Sequence, residues 1–126
     1  MMHRAISAIT TAILALGLAA CGSSGDMTTS TTTPSPQTAT INATPSLAFT
    51  PSAVTIAPGG TVTFAFGSVG HNVTFDTGTN PPSDITGVNA NTSISRTFAA
   101  AGTYTFHCTI HPSMTGSVTV AADVTS

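Results

Sequence analysis

From Ser46 onward the sequence breaks into short runs of alternating apolar and polar residues, each cut off by Gly, Pro, Asn or Asp. A two-residue period is the mark of strands with one buried face, and it constrains the fold more than any other feature of the chain. "SAVTIAPGGTVTF" sets Val54 and Ile56 on one face before a Pro-Gly-Gly turn, and Val62, Phe64 and Phe66 on one face after it. "GHNVTF" aligns His71, Val73 and Phe75, and "TGTNPPSD" from Thr77 to Asp84 is a loop by composition. "NTSISRTF" is a further strand, in which Arg96 on the Ile94/Phe98 side suits an edge position or a bulge. "GTYTFHC" and "TGSVTVAA" close the pattern, with Val118 and Val120 inward. Seven or eight short strands with no helical period predict an all-β Greek-key sandwich over residues 46–122, with 123–126 as a tail.

Ahead of it lie two segments of different character. "MMHRAISAITTAILALGLAAC" has a basic start and an apolar run shorter than the roughly 20 residues that a spanning helix needs, so residues 1–20 are expected to be a cleaved signal peptide. Leu18-Ala19-Ala20-Cys21 resembles the lipobox of bacterial lipoproteins. That resemblance implies cleavage before Cys21, a lipid on its sulfur, and an exported protein held on the membrane. The alternative is an ordinary secretory cut nearby. The Ser/Thr/Pro-rich stretch that follows gives residues 21–45 the composition of a disordered tether.

Composition excludes some functions. Charged residues are 5 % of the chain, two basic and four acidic, so Arg4 and Arg96 cannot assemble a basic face and a nucleic-acid partner is not expected. The chain has two cysteines. With Cys21 acylated, Cys108 is the lone thiol of a protein sent to an oxidising compartment, where it is a metal ligand, a nucleophile or a liability. A Cys21–Cys108 disulfide is the competing arrangement, with one partner in the tether. A sandwich of this size is marginal on its core alone, and a bound metal would add stability.

"YTFHCTIHPSMTG" concentrates the chemistry. Strand parity puts Tyr104, Phe106 and Cys108 on the core side and turns Thr105 and His107 outward. His111 and Met114 follow in C-x2-H-x2-M spacing on a loop that can fold an imidazole and a thioether back around the sulfur. A second imidazole is available from inward-facing His71. Two His and one Cys with a distant Met form the ligand set of a blue-copper electron-transfer centre. Zinc accepts Cys and His, but a thioether is a poor zinc ligand. A Cys/His hydrolase would need an oriented base and an oxyanion hole, for which the sequence has no sign.

"GHNVTF" together with "GTYTFHCTIHPSMTGSVTV" resembles the plastocyanin/amicyanin group of cupredoxins, the short ligand loop being most similar to amicyanin. The resemblance covers roughly residues 46–122. It implies a cupredoxin sandwich binding one copper, with His71, Cys108 and His111 equatorial and Met114 weakly axial. It also implies that Asn72 ties the two ligand loops together and supports the sulfur. The expected role is a monomeric Cu(II)/Cu(I) electron carrier, not an enzyme, that meets transient redox partners outside the cytoplasm. Copper storage or delivery is the alternative, and a copper enzyme using His107 as a second ligand in an oligomer is a third.

Overall fold

The structure is a computed structural model that describes residues 33–122. The expected signal peptide, the expected lipidation site Cys21, residues 22–32 of the expected tether and the 123–126 tail lie outside the described residues. The described chain forms β1 (Thr38–Thr44), β2 (Ala48–Thr50), β3 (Ala53–Ile56), β4 (Gly60–Phe66), β5 (His71–Phe75), β6 (Ile85–Asn89), β7 (Thr92–Phe98), β8 (Gly102–His107) and β9 (Thr115–Val120). They make two sheets, ordered β2-β1-β4-β7 and β3-β9-β8-β5-β6.

The all-β class stands, with nine strands among the described residues where seven or eight were expected. One boundary needs correcting. β1 lies inside residues 21–45, the stretch expected to be a tether. Its sequence "TATINAT" does alternate, burying Ile41 and Ala43 while Thr38, Thr40 and Asn42 face out. Two of its three inward residues, Ala39 and Ala43, are alanines, so the apolar signal is weak. The strand is held by parallel pairing with β4 from Thr38↔Thr61 to Ala43↔Phe66, a non-local ladder.

Both sheets bury one face against the other. Ile41, Val62, Phe64 and Phe98 meet Ile56, Val73, Tyr104, Phe106 and Val118 in a single cluster. Edge-to-face aromatic contacts knit it: Phe106 meets Phe49 at 4.9 Å, Phe64 at 5.4 Å and Phe75 at 6.0 Å between ring centroids. Each such pair adds about 0.5–1.5 kcal/mol beyond the burial itself. Tyr104 is buried, and its hydroxyl proton is shared between the carbonyls of Ala100 at 2.6 Å and Thr79 at 3.0 Å. That satisfies the phenol and pins the loop after β5 at the start of β8. Before β4, the Ala57 carbonyl accepts from the Gly60 N–H with Gly59 at φ 79°, the positive angle a type II turn requires after Pro58.

Arg96 sits on an edge strand, since β7 pairs only with β4. Its guanidinium donates to the carbonyls of Ser83, Asp84 and Ser95 at 2.7–3.1 Å. The cation thereby ties the loop before β6 to the edge of the other sheet.

Candidate metal centre

The end of β8 and the start of β5 bring the ligand candidates together. Parity holds along β8: Tyr104, Phe106 and Cys108 are buried, and His107 points out. After Cys108 the chain turns back at once. The Met114 N–H donates to the His111 carbonyl at 2.8 Å and the Cys108 N–H to the Met114 carbonyl at 2.9 Å, closing a compact loop. Met114 is 2 % exposed, and His111 is half-buried.

Across the sheet, His71 opens β5 with its ring fully buried. The ring donates from Nε2 to the Thr44 carbonyl at 3.1 Å, which leaves Nδ1 as the free lone pair. Burial pushes its pKa below the ordinary histidine value, and nearby His111 adds to that, while the Thr44 carbonyl opposes it. A neutral imidazole is the form that binds metal. The His71 carbonyl accepts from the Asn89 side chain at 3.2 Å, fixing the backbone as well.

His71, Cys108 and His111 form a cluster whose donor atoms all lie within 4.8 Å of one another. His71 Nδ1 and His111 Nδ1 are 3.1 Å apart, and Cys108 Sγ is 4.0 Å from the first and 3.8 Å from the second. A triangle with those edges has a point roughly 2.1 Å from every corner, close to the about 2.0–2.3 Å of metal–imidazole and metal–thiolate bonds. The cradle therefore fits a single small metal ion with little rearrangement. Cys108 is a free thiol.

Asn72 brackets the cluster. Its backbone N–H points at Cys108 Sγ at 3.5 Å, its Oδ1 accepts from the Thr109 N–H at 2.8 Å, and its Nδ2 donates to Thr109 Oγ1 at 2.6 Å. These bonds matter because the β5–β8 ladder itself is short, with only Thr74↔His107 and Phe75↔Phe106 in register. Outside the cluster, His107 pairs through Nδ1 with the Asp76 carboxylate at 2.8 Å on the outer face.

The comparisons with known proteins agree with this geometry. Residues 36–121 match the model of the copper-binding proteins of the plastocyanin/azurin family. The chain belongs to that family. Its start at residue 36 also agrees with β1 being part of the domain. Among solved structures, the amicyanin from Paracoccus versutus is 28 % identical, with 73 % of this chain and 94 % of that one covered and a TM-score of 0.58. The oxidised plastocyanin from Dryopteris crassirhizoma is 27 % identical over 66 % of this chain and 100 % of that one, with a TM-score of 0.59. A copper-containing nitrite reductase from Thermus scotoductus matches in fold alone at 23 % identity, covering 65 % of this chain and 22 % of that one, with a TM-score of 0.56. None of the curated proteins compared matches this chain.

For a plastocyanin/azurin-family protein, the cluster with Met114 beside it fits one type 1 copper per chain. Sequence reasoning missed Thr44, whose carbonyl orients His71 from inside the presumed tether, and it missed Asp76 as the partner of His107. The tether composition hid the first. The second was within reach, since Asp76 directly follows the strand run that ends at Phe75.

Proposed function

We propose that this protein is a blue-copper electron carrier in which His71, Cys108 and His111 would hold the copper, with Met114 as a fourth, weaker ligand. The observation that carries the reading is the closed cluster itself. Two of its donor residues are fully buried, and the third, His111, is half-buried. Copper held there supplies a one-electron Cu(II)/Cu(I) couple. Everything else is the work of the chain. Thr44 fixes the His71 ring, Asn72 and Thr109 hold the two ligand segments at one spacing, and the packed sandwich keeps water from the sulfur. A cradle that holds its shape in both oxidation states keeps reorganisation small. His111 is the route by which an electron reaches the surface.

The segments that carry the cluster also carry exposed apolar residues. Leu47, Val88 and Ile110 are the exposed large hydrophobic residues among those described. Each is linked to the cluster: the Leu47 N–H bonds the Thr44 carbonyl, Val88 packs over Gly70 next to His71, and Ile110 precedes His111. Such residues suit brief docking with redox-protein partners. Export by the residue 1–20 signal and anchoring through lipid on Cys21 complete the reading, placing the carrier outside the cytoplasm with raised local concentration near membrane-bound partners.

Copper(II) titration of the protein tests the assignment. One equivalent is expected to produce an intense blue band from thiolate-to-Cu(II) charge transfer, and Cys108→Ser to abolish it. A Cys108→Ser protein that stays blue would overturn the ligand set.

A further inference from the structure

We infer that the Thr44–Leu47 turn is a positioning device for the metal centre, and that the Thr44 side-chain hydroxyl sets how firmly His71 is held. The inference rests on the copper reading above and adds a determinant outside the ligand set. The Thr44 carbonyl accepts from His71 Nε2 at 3.1 Å and also from the Leu47 N–H at 3.1 Å, so both of its lone pairs are engaged. The second bond closes a four-residue turn with Pro45 at its second position, where its fixed φ is favoured. The Thr44 hydroxyl straps the same turn, donating to the Ala48 carbonyl at 3.0 Å and accepting from the Ser46 hydroxyl at 2.8 Å. Leu47 is held at φ 61°, a left-handed angle that is costly for a leucine and persists only where surrounding bonds impose it.

The direction of the Thr44 carbonyl is thus set from three sides: the β1–β2 pairing of Thr44 with Ala48, the turn, and the hydroxyl strap. The carbonyl in turn sets the tautomer and tilt of a ring that has no other hydrogen-bond acceptor on that nitrogen. Outer partners of this kind orient metal-ligating histidines, and their loss typically lowers metal affinity about 10–100-fold. Loosening the strap frees the ring to turn. Cu(II) demands its full ligand set more strictly than Cu(I), so the oxidised state loses more.

The test compares Thr44→Val, which removes the hydroxyl at nearly constant volume, with Thr44→Ser, which keeps it, in the full chain. In zinc-loaded protein, solvent exchange of the His71 Nε2 proton is followed by NMR; in copper-loaded protein, the reduction potential is measured. Thr44→Val is expected to speed that exchange about tenfold and to weaken Cu(II) about tenfold relative to Cu(I), a rise of about 59 mV for one electron. Thr44→Ser is expected to stay near wild type in both. His107→Ala, a change outside the cluster, serves as the control that alters stability without moving either readout. The inference fails if Thr44→Val lowers the melting temperature alone, or if Thr44→Ser shifts both readouts as far as Thr44→Val does. Should Thr44→Val not fold, Ser46→Ala removes the other hydroxyl of the strap, with smaller shifts of the same sign expected and wild-type values overturning the idea. If the copper-loaded protein is not blue, the carrier reading fails, while proton exchange in the zinc-loaded protein still decides the coupling between Thr44 and His71.

Discussion

His107 and Cys108 are neighbours in the chain and strangers in the structure. The pleat sends the sulfur to the buried cluster and the imidazole to the outer face, where Asp76 holds it at 2.8 Å. His107→Ala is therefore expected to leave the blue spectrum and the copper stoichiometry unchanged. Because the pair is partly exposed, the change should cost about 0.2–1 kcal/mol in a denaturant titration. Asn72 is the opposite case. Its side chain makes two bonds to Thr109 across the ligand segments, so Asn72→Ala hands the exposed Thr109 N–H to water and loosens Cys108 against His71. A loss of about 0.5–1.5 kcal/mol is expected in the same titration, together with a shift of the charge-transfer band that His107→Ala does not produce. Equal spectral effects from the two changes would contradict this division of roles.

At the scale of elements, β1 decides where the domain begins. Ile41 is fully buried in the core, so Ile41→Ala is expected to cost about 2–5 kcal/mol by chemical denaturation. A protein starting at Ser46 should fail to fold, because β4 would lose its parallel partner and His71 its Thr44 acceptor. A protein starting at residue 33 should fold and take up copper. Folding of the shorter protein would show β1 to be dispensable. The strands legible in the sequence were those with strong apolar alternation, β4 and β8 above all, and those carrying His71 and Cys108. β1 is hard to read because alanines fill two of its three inward positions and its partner β4 is distant, and β2 because it is only three residues long. The candidate ligand set was legible because strand parity turns His71 and Cys108 inward and the C-x2-H-x2-M spacing puts His111 and Met114 on the loop that follows. The Thr44 bond that orients His71 was not, since Thr44 acts through a contact 27 residues away in sequence.

At the scale of the whole molecule, sparse charge and a closed site determine what the protein can do. Among the described residues Arg96 is the one lysine or arginine, and its guanidinium is bonded to three carbonyls. Charge-steered docking has little to work with, and exposed apolar residues are proposed to take its place. Electron transfer to a redox-protein partner should change little between roughly 10 and 200 mM salt, a range in which screening shortens to about 10 Å and below; a tenfold fall in rate would reject apolar docking. Copper itself should stabilise the small sandwich, with the metal-free protein melting at a lower temperature in calorimetry, because binding energy to the native cradle adds to folding stability. The central claim, a cradle that passes an electron and keeps its metal, is tested most directly by cyclic voltammetry of the copper-loaded protein. A reversible one-electron wave is predicted, stable over repeated cycles, with one copper per chain before and after. An irreversible wave, with copper released on reduction, would contradict the account and mark the protein as one that delivers copper.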